Sequence, residues 1–336
     1  MAMAMRAAAT SRICAALLLP PSISAAKKQE ARIIGAGNGR GAVWRIATNS
    51  CSRILCTRSS WIDSSIKKEE SNAVEALALD LAKQAGALIL EKSGHALQVD
   101  TKESRFDLVT EVDKACEDLL RSQVQAKFPH HFYLGEETAT EEELERLKSG
   151  LNEADWTWIV DPIDGTLNFV AGMPLSVISI GVAYGGNMEV GVVYNPFNDE
   201  LFVARRGQGA HMNGTALRVL PPDTQLEDTT VAVGFPSKPE WRLKMLEAIG
   251  KVAPKARSVR ALGSAALHIC YVGAGRLGCF FEHNLKPWDI AAARLIVQEA
   301  GGQVTDMSGN PLPLTAGSVL ASNGGSLHER IVDLIH

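Results

Sequence analysis

The 336-residue sequence lacks any apolar run approaching the roughly 20 residues that a membrane-spanning helix requires. It has no Cys-x-x-Cys pair. Of its six cysteines, Cys14, Cys51 and Cys56 fall near the start, leaving Cys116, Cys270 and Cys279, an odd number without metal-ligand spacing. A disulfide framework and a zinc site are thereby excluded, and reduced structural thiols are expected. There is no G-x-x-x-x-G-K-[S/T] loop, no Ser-His-Asp spacing and no C-x5-R cradle, so an NTP-driven kinase, a serine hydrolase and a cysteine phosphatase all lack support. Basic surface is scarce outside the first stretch. Residues 1–62 hold nine Lys/Arg and the single acid Glu30, whereas the remainder holds 25 basic and 37 acidic residues. An acidic body is a poor partner for phosphate backbones, so no nucleic-acid partner is expected, and no membrane partner either.

The basic leader is rich in Arg, Ser and Ala and almost free of acid, as organellar transit peptides are. The apolar run Ile13–Leu19 after Arg6 and Arg12 is a feature shared with secretory signals. Arginines continue through Arg58, however, where a signal would end soon after Ala26. A transit segment over residues 1–62 is therefore expected, for the chloroplast first and the mitochondrion as the alternative. The glycine-rich stretch Gly35–Gly41 imitates a dinucleotide loop, but no helix-period pattern follows it.

The body alternates helical and extended patterns without an internal repeat, which predicts a mixed, layered α/β plan. Ser71 is placed to cap a helix that stops near Gly94, with Val74, Leu77, Leu81, Ala85 and Leu88 on one face. A second helix, from about Thr110 to Phe128, has the stripe Val112, Cys116, Leu119, Leu120 and Val124, and Pro129 ends it. Phe132–Leu134 reads as a strand leading into Glu136, and Glu141–Lys148 as a solvated helix or loop. Strands flank Gly185-Gly186-Asn187 in a hairpin pattern. Leu201–Ala204 and Ala216–Val219 flank a glycine-rich turn, and Pro221-Pro222 marks a boundary between a half at 71–220 and a half at 224–336. Beyond it the pattern predicts strands near residues 230–233, 258–261, 277–281, 304 and 319, with helices near 240–252, 264–272, 288–300 and from 327.

Carboxylates gather at the ends of apolar segments: Glu136 after FYLG, Asp161 and Asp164 after WIV, and Asp289 in KPWDIAAA. Two aspartates three residues apart in a semi-buried turn repel each other unless something positive lies between them. Hard oxygen donors of this kind suit Mg2+. Pro162 fixes the turn and Gly165 permits a close backbone approach, while amides at Gly165 and Thr166 that open a helix are suited to phosphate. Metal ions beside a phosphate site point to phosphoryl transfer to water.

The blocks GEET (Gly135–Thr138), WIVDPIDGTLNF (Trp158–Phe169) and WDIAAARLIVQEAGG (Trp288–Gly302) resemble the signatures of the inositol monophosphatase family, as do DLVTEVDK (Asp107–Lys114) and RALGSAAL (Arg260–Leu267). The resemblance covers roughly residues 71–336. It implies a five-layer αβαβα sandwich and a Mg2+-dependent, Li+-sensitive phosphomonoesterase, usually a homodimer. Carried over residue by residue, it implies that Glu136, Asp161 and the Ile163 carbonyl hold one metal, that Asp161, Asp164 and Asp289 hold a second, and that Glu136 helps hold a third. Thr166, oriented by Asp113, would activate the attacking water beside Glu136. The Gly165 and Thr166 amides would grip phosphate, and Lys102 would sit on a loop closing over the metals. Asp164, Ala265 and Glu282 would meet inositol hydroxyls. The implied reaction is a direct in-line attack by water on inositol monophosphate without a covalent phosphoenzyme. The alternatives are the same chemistry on histidinol phosphate, a sugar phosphate such as galactose 1-phosphate, or a nucleotide such as adenosine bisphosphate, and, more remotely, a non-catalytic scaffold. Leu167 and Val112 stand where the family often has Thr. His130 and His131 are expected in an exposed turn, His268 on a helix face and His283 beside the substrate residue Glu282. The tryptophans are expected in packing roles, and Arg205-Arg206 on a solvated hairpin.

Overall fold

A 42-residue helix, α1 (Cys51–Lys92), leads into the folded body of this computed structural model. The structure describes residues 51–95, 98–102, 108–149, 155–315 and 317–336, with side chains from Lys68 onward. The Gly35–Gly41 stretch, Cys14 and most of the basic leader lie outside the described residues. Residues Arg58–His336 form one compact unit. Among the described residues no helix is long and apolar enough to cross a membrane.

Ser71 does not start α1; it lies inside the helix and is buried. Residues 51–70 contain neither Pro nor Gly, so nothing local breaks the helix before it. The predicted stop holds, with Gly94 at φ 77° just past the end. A short antiparallel pair, β1 (Val99–Thr101) and β2 (Leu108–Thr110), follows. In α2 (Glu111–Lys127) the Thr110 hydroxyl accepts the Val112 and Asp113 N–H groups, and Asp113 accepts in return from the Thr110 N–H. This reciprocal cap fixes both the helix start and the Asp113 side chain. The charged segment after β3 (Phe132–Gly135) is a helix, α3 (Glu141–Lys148), capped in the same way by Thr140 and Glu143.

Seven strands pair in sequence order into one sheet: β3, β4 (Trp156–Asp164), β5 (Val177–Tyr184), β6 (Asn187–Asn195), β7 (Glu200–Arg205), β8 (Ala210–Met212) and β9 (Thr215–Ala216). The short α4 (Thr166–Val170) interrupts the path from β4 to β5. The predicted strand 216–219 is mostly absent, only Ala216 being paired. After Leu220–Asp223 a second, five-stranded sheet begins. Its order is β11 (Ser258–Arg260), β10 (Thr230–Val233), β12 (Cys279–Leu285), β14 (Gly317–Ser322) and β13 (Gln303–Thr305).

Helices fill the spaces. One face of the seven-stranded sheet packs Trp158, Val160 and Ile180 against Leu81, Leu120 and their neighbours on α1 and α2. Its other face shares a core with α6 (Ala265–Gly273), α7 (Pro287–Glu299) and the inner face of the five-stranded sheet. The outer face of that second sheet is covered by α5 (Pro239–Val252) and α8 (Gly325–Ile335). The order is helix, sheet, helix, sheet, helix: the five-layer αβαβα sandwich.

The middle layer comes unusually close to the first sheet. A Cβ at Gly191 would lie 2.5 Å from the Ala292 carbonyl oxygen, and one at Gly181 would lie 2.8 Å from the Ala291 Cβ. Two glycines on the sheet and the Ala291–Ala293 run on α7 therefore let helix backbone rest on strand backbone.

Candidate active site

Residues three apart on a regular strand point to opposite faces, so Asp161 and Asp164 should diverge. On β4 the alternation is clear up to Asp161: Trp156, Trp158 and Val160 enter the core beneath α1 and α2, while Ile159 enters the other. The pairing with β5 then slips. Asp161 stands opposite Ser179 and Asp164 opposite Val177, so three steps on β4 match two on β5. This bulge reverses the alternation, since Ile163 returns to the α1/α2 core, and both aspartates emerge on the same side.

Neighbouring elements bring in the other carboxylates. β3 runs parallel to β4 with Gly135 opposite Val160, and the Glu136 N–H donates to the Val160 carbonyl at 3.1 Å. Glu136 is thus the next residue beside Asp161, in hydrogen-bonding contact with it. The Ser179 hydroxyl, opposite Asp161, donates to the Trp288 carbonyl at 3.1 Å and ties the first turn of α7 to that level of the sheet. Asp289 follows in the same turn and accepts the Lys286 N–H at 2.7 Å. Oxygens of Asp161, Asp164 and Asp289 all lie within 4.8 Å of one another.

Their electrostatics show the strain of this gathering. Burial, then repulsion from Glu136, Asp164 and Asp289, raises the Asp161 pKa well above the carboxylate range. Burial, then Asp164 and Glu136, does the same to Asp289. Burial pushes Asp164 up to about 6, against the pull of three donors at the start of α6. These are the Ser264 hydroxyl at 2.6 Å and the amides of Ala266 at 2.6 Å and Ala265 at 3.3 Å. The nearby cation is Lys102, just past β1. Its ammonium donates to Glu136 and Glu137, each at 2.7 Å, and these two carboxylates outweigh burial and raise its pKa. Two buried carboxylates and a half-buried third, all hard oxygen donors with raised pKa values, are a chemical fit for a divalent cation.

Thr166 opens α4 behind Gly165, whose φ of 94° is left-handed. The Thr166 hydroxyl lies 3.1 Å from Asp113 Oδ1 and 3.1 Å from the Ile163 carbonyl oxygen. Its one proton can serve either acceptor. The first amides of the helix have no acceptor within it. Asn168 fixes the surrounding loop by donating to the carbonyls of Leu175 at 3.0 Å and Leu262 at 2.7 Å. Glu282, on β12, is buried, and burial together with Asp164 pushes it up to about 8. A Cβ at Gly234 would meet its carboxylate at 1.8 Å, so the end of β10 must be glycine for Glu282 to sit there. The structure thus brings Lys102, Asp113, Glu136, Asp161, Ile163, Asp164, Thr166 and Asp289 into one contact network, with Ala265 bonded to its edge through Asp164.

Several expectations change. His131 is not in an exposed turn. Its ring stacks on Phe128 at 4.4 Å, and its Nδ1 accepts the Trp158 indole N–H at 3.0 Å. His268 does lie on a helix, α6, as expected, buried against Phe280 and accepting the Leu262 N–H at 2.8 Å. His283 bonds Ser318 at 2.6 Å. Arg205 pairs with Glu75 at 3.3 Å, which accounts for its charge within the body. Leu167 is 52% exposed, so no buried hydroxyl partner is missing there. Sequence reasoning missed Glu117, a fully buried acid on α2 whose carboxylate accepts the Glu137 N–H at 2.7 Å. The signal was available, because Glu117 lies four residues after Asp113 and hence on the same helix face.

The inositol monophosphatase family model matches residues 70–336. The chain is 42% identical over 252 residues to inositol monophosphatase 2 of Solanum lycopersicum, covering 74% of this chain and 92% of the tomato protein. It is 39% identical over 250 residues to Nus factor SuhB of Escherichia coli strain K12, covering 74% and 90%. The crystal structure of extragenic suppressor protein suhB from Bartonella henselae superposes with a TM-score of 0.70 at 34% identity, over 78% of this chain and 98% of that one. With matches of this extent over the folded body and the acidic site, the chain belongs to the inositol monophosphatase family and is a phosphoric monoester hydrolase.

Proposed function

We propose that this protein is a Mg2+-dependent phosphatase that hydrolyses myo-inositol monophosphate to inositol and phosphate. The observation that carries the reading is the trio of buried Asp161 and Asp164 with half-buried Asp289, whose oxygens converge within 4.8 Å beside the amides that open α4. Asp161, Asp164, Asp289, Glu136 and the Ile163 carbonyl would hold the ions. Bound Mg2+ would supply Lewis-acid polarisation of the phosphate and neutralise charge on the leaving oxygen. Asp113 holds the Thr166 hydroxyl in place, where it can orient a water beside Glu136 for in-line attack. The amides of Gly165 and Thr166 receive the phosphate oxygens. The buried Glu282 carboxylate accepts hydroxyl hydrogen bonds from a polyol.

Glu282 is equally suited to an ammonium group, which makes histidinol phosphate the second substrate to test. Phosphate release, as kcat/KM in Mg2+, is to be compared for inositol 1-phosphate and histidinol phosphate with protein lacking residues 1–62. Preference for inositol phosphate is the expected result. Preference for histidinol phosphate retains the site chemistry and replaces the substrate. Hydrolysis of neither, nor of sugar or nucleotide monophosphates, rejects the reading. We further propose that residues 1–62 direct chloroplast import, checked by the destination of a fluorescent fusion, and that the body is a homodimer, checked by light scattering.

A further inference from the structure

We infer that Glu117 is a positioning residue for Glu136, fixing the turn that presents this carboxylate to metal; the inference rests on the reading of Glu136 as a metal ligand. Two buried carboxylates, Asp113 and Glu117, lie one helical turn apart on α2. Asp113 holds Thr166, on one arm of the site. Glu117 holds the other arm. Its carboxylate accepts the Glu137 N–H at 2.7 Å and the Thr138 hydroxyl, the two residues that follow Glu136. On the near side, a Cβ at Gly135 would lie 2.5 Å from the same carboxylate, so the residue before Glu136 must be glycine. Glu136 is thereby bracketed by three residues that all rest on Glu117.

An apolar side chain would suffice to continue the buried stripe of Cys116, Leu120 and Val124. A buried carboxylate is costly, and here it has a counter-charge in Arg121, which lies 3.8 Å away and also donates to Thr138. What the acid provides, and a hydrocarbon does not, is a pair of acceptors aimed at one turn. The turn is also held from outside, where Lys102 bridges Glu136 and Glu137.

Four variants, Glu117→Gln, Thr138→Val, Thr138→Ser and Glu136→Gln, test this by calorimetric titration of metal-free protein with Mn2+, by thermal melts and by Mg2+-activation kinetics. Glu117→Gln keeps the shape but turns one acceptor into a donor. It is expected to weaken Mn2+ binding by about tenfold to a hundredfold and to raise half-saturating Mg2+ in step. KM for inositol 1-phosphate at saturating Mg2+ should stay within about twofold, a split that a general loss of structure does not produce. Thr138→Val, at an exposed position, should give a smaller shift of the same kind that Thr138→Ser reverses, and it decides the matter if Glu117→Gln does not fold. Mn2+ affinity unchanged in Glu117→Gln and Thr138→Val but lost in Glu136→Gln would overturn the role of Glu117 alone. Unchanged affinity in Glu136→Gln would instead overturn the reading of Glu136, and the inference with it.

Discussion

Single carboxylates in this protein are costly to the fold and necessary to the site. Asp161 is buried among Glu136, Asp164 and Asp289, and its pKa is raised first by burial and then by their repulsion. Replacing it with Asn removes a charge without changing shape. Mg2+-dependent turnover of Asp161→Asn should fall by on the order of a hundredfold or more, the scale of losing one electrostatic contact at a reacting centre. The melting temperature of the metal-free variant should match or exceed that of the unaltered protein. Near-normal turnover would remove Asp161 from the site. The same groups set a pH dependence. Burial raises Asp164 to about 6, burial and then Glu136 raise Glu137 to about 7, and burial and then Asp164 raise Glu282 to about 8. Unfolded carboxyls titrate near about 4, so the folded protein holds more protons across the interval between. The stability that these three carboxyls contribute to the metal-free form is therefore greatest at the acid end and is lost as pH rises through their folded values, while His131, His268, His283 and His328, lowered first by burial, act in the opposite sense. Melts in chelator at pH 5.5 and pH 8 should show the higher midpoint at the lower pH, and added Mg2+ should raise the midpoint most at pH 8. A midpoint that climbs with pH in chelator would contradict this.

At the scale of elements, the β4 bulge and the seating of α7 do most of the positioning. The bulge turns a three-residue spacing into a same-side pair. The close seating of α7 on Gly181 and Gly191 delivers Asp289 to that pair. Gly191→Ala should cost about 1–3 kcal/mol, because its Cβ meets unyielding helix backbone rather than a movable side chain. The loss is read from denaturant midpoints, and a wild-type midpoint would show that the layers have slack. Much of this element plan was legible in the sequence. Thr110 with Asp113 marked the start of α2, Gly185-Gly186-Asn187 marked the hairpin, and Gly301-Gly302 closed α7. Two things were not legible. Ser71 has the chemistry of a cap, but a cap forms only where the chain leaves the helix, and no local residue forces that exit. The bulge is a property of pairing with β5 and has no signature within WIVDPID itself. The acids that the structure gathers were legible because they stand at the ends of apolar segments beside glycine and proline. Glu117 escaped notice because, although its spacing from Asp113 places it on the same face, an acid beside an apolar stripe reads as a surface residue until its partners, Glu137 and Thr138, are seen.

For the molecule as a whole, the five layers are contained in the part of the chain that the family model spans, residues 70–336. Among the described side chains, the buried face of α1 begins at Ser71 and Val74. Protein that starts at residue 63 should therefore keep kcat/KM within about twofold of the full chain, since mutations and deletions away from core and site features are close to neutral. A large loss on that truncation, measured with the same substrate, would give the leader a role in the folded enzyme.

The carboxylates that converge come from opposite sides of the Leu220–Asp223 segment. Asp161 and Asp164 precede it, while Asp289, the α6 amides that hold Asp164, and Glu282 follow it. On the proposed reading, a nascent chain is expected to be catalytically silent until it has been synthesised beyond Asp289, and a chain severed at Pro221-Pro222 to yield two inert pieces. Hydrolysis recovered on mixing such pieces would serve as a built-in readout of fragment complementation.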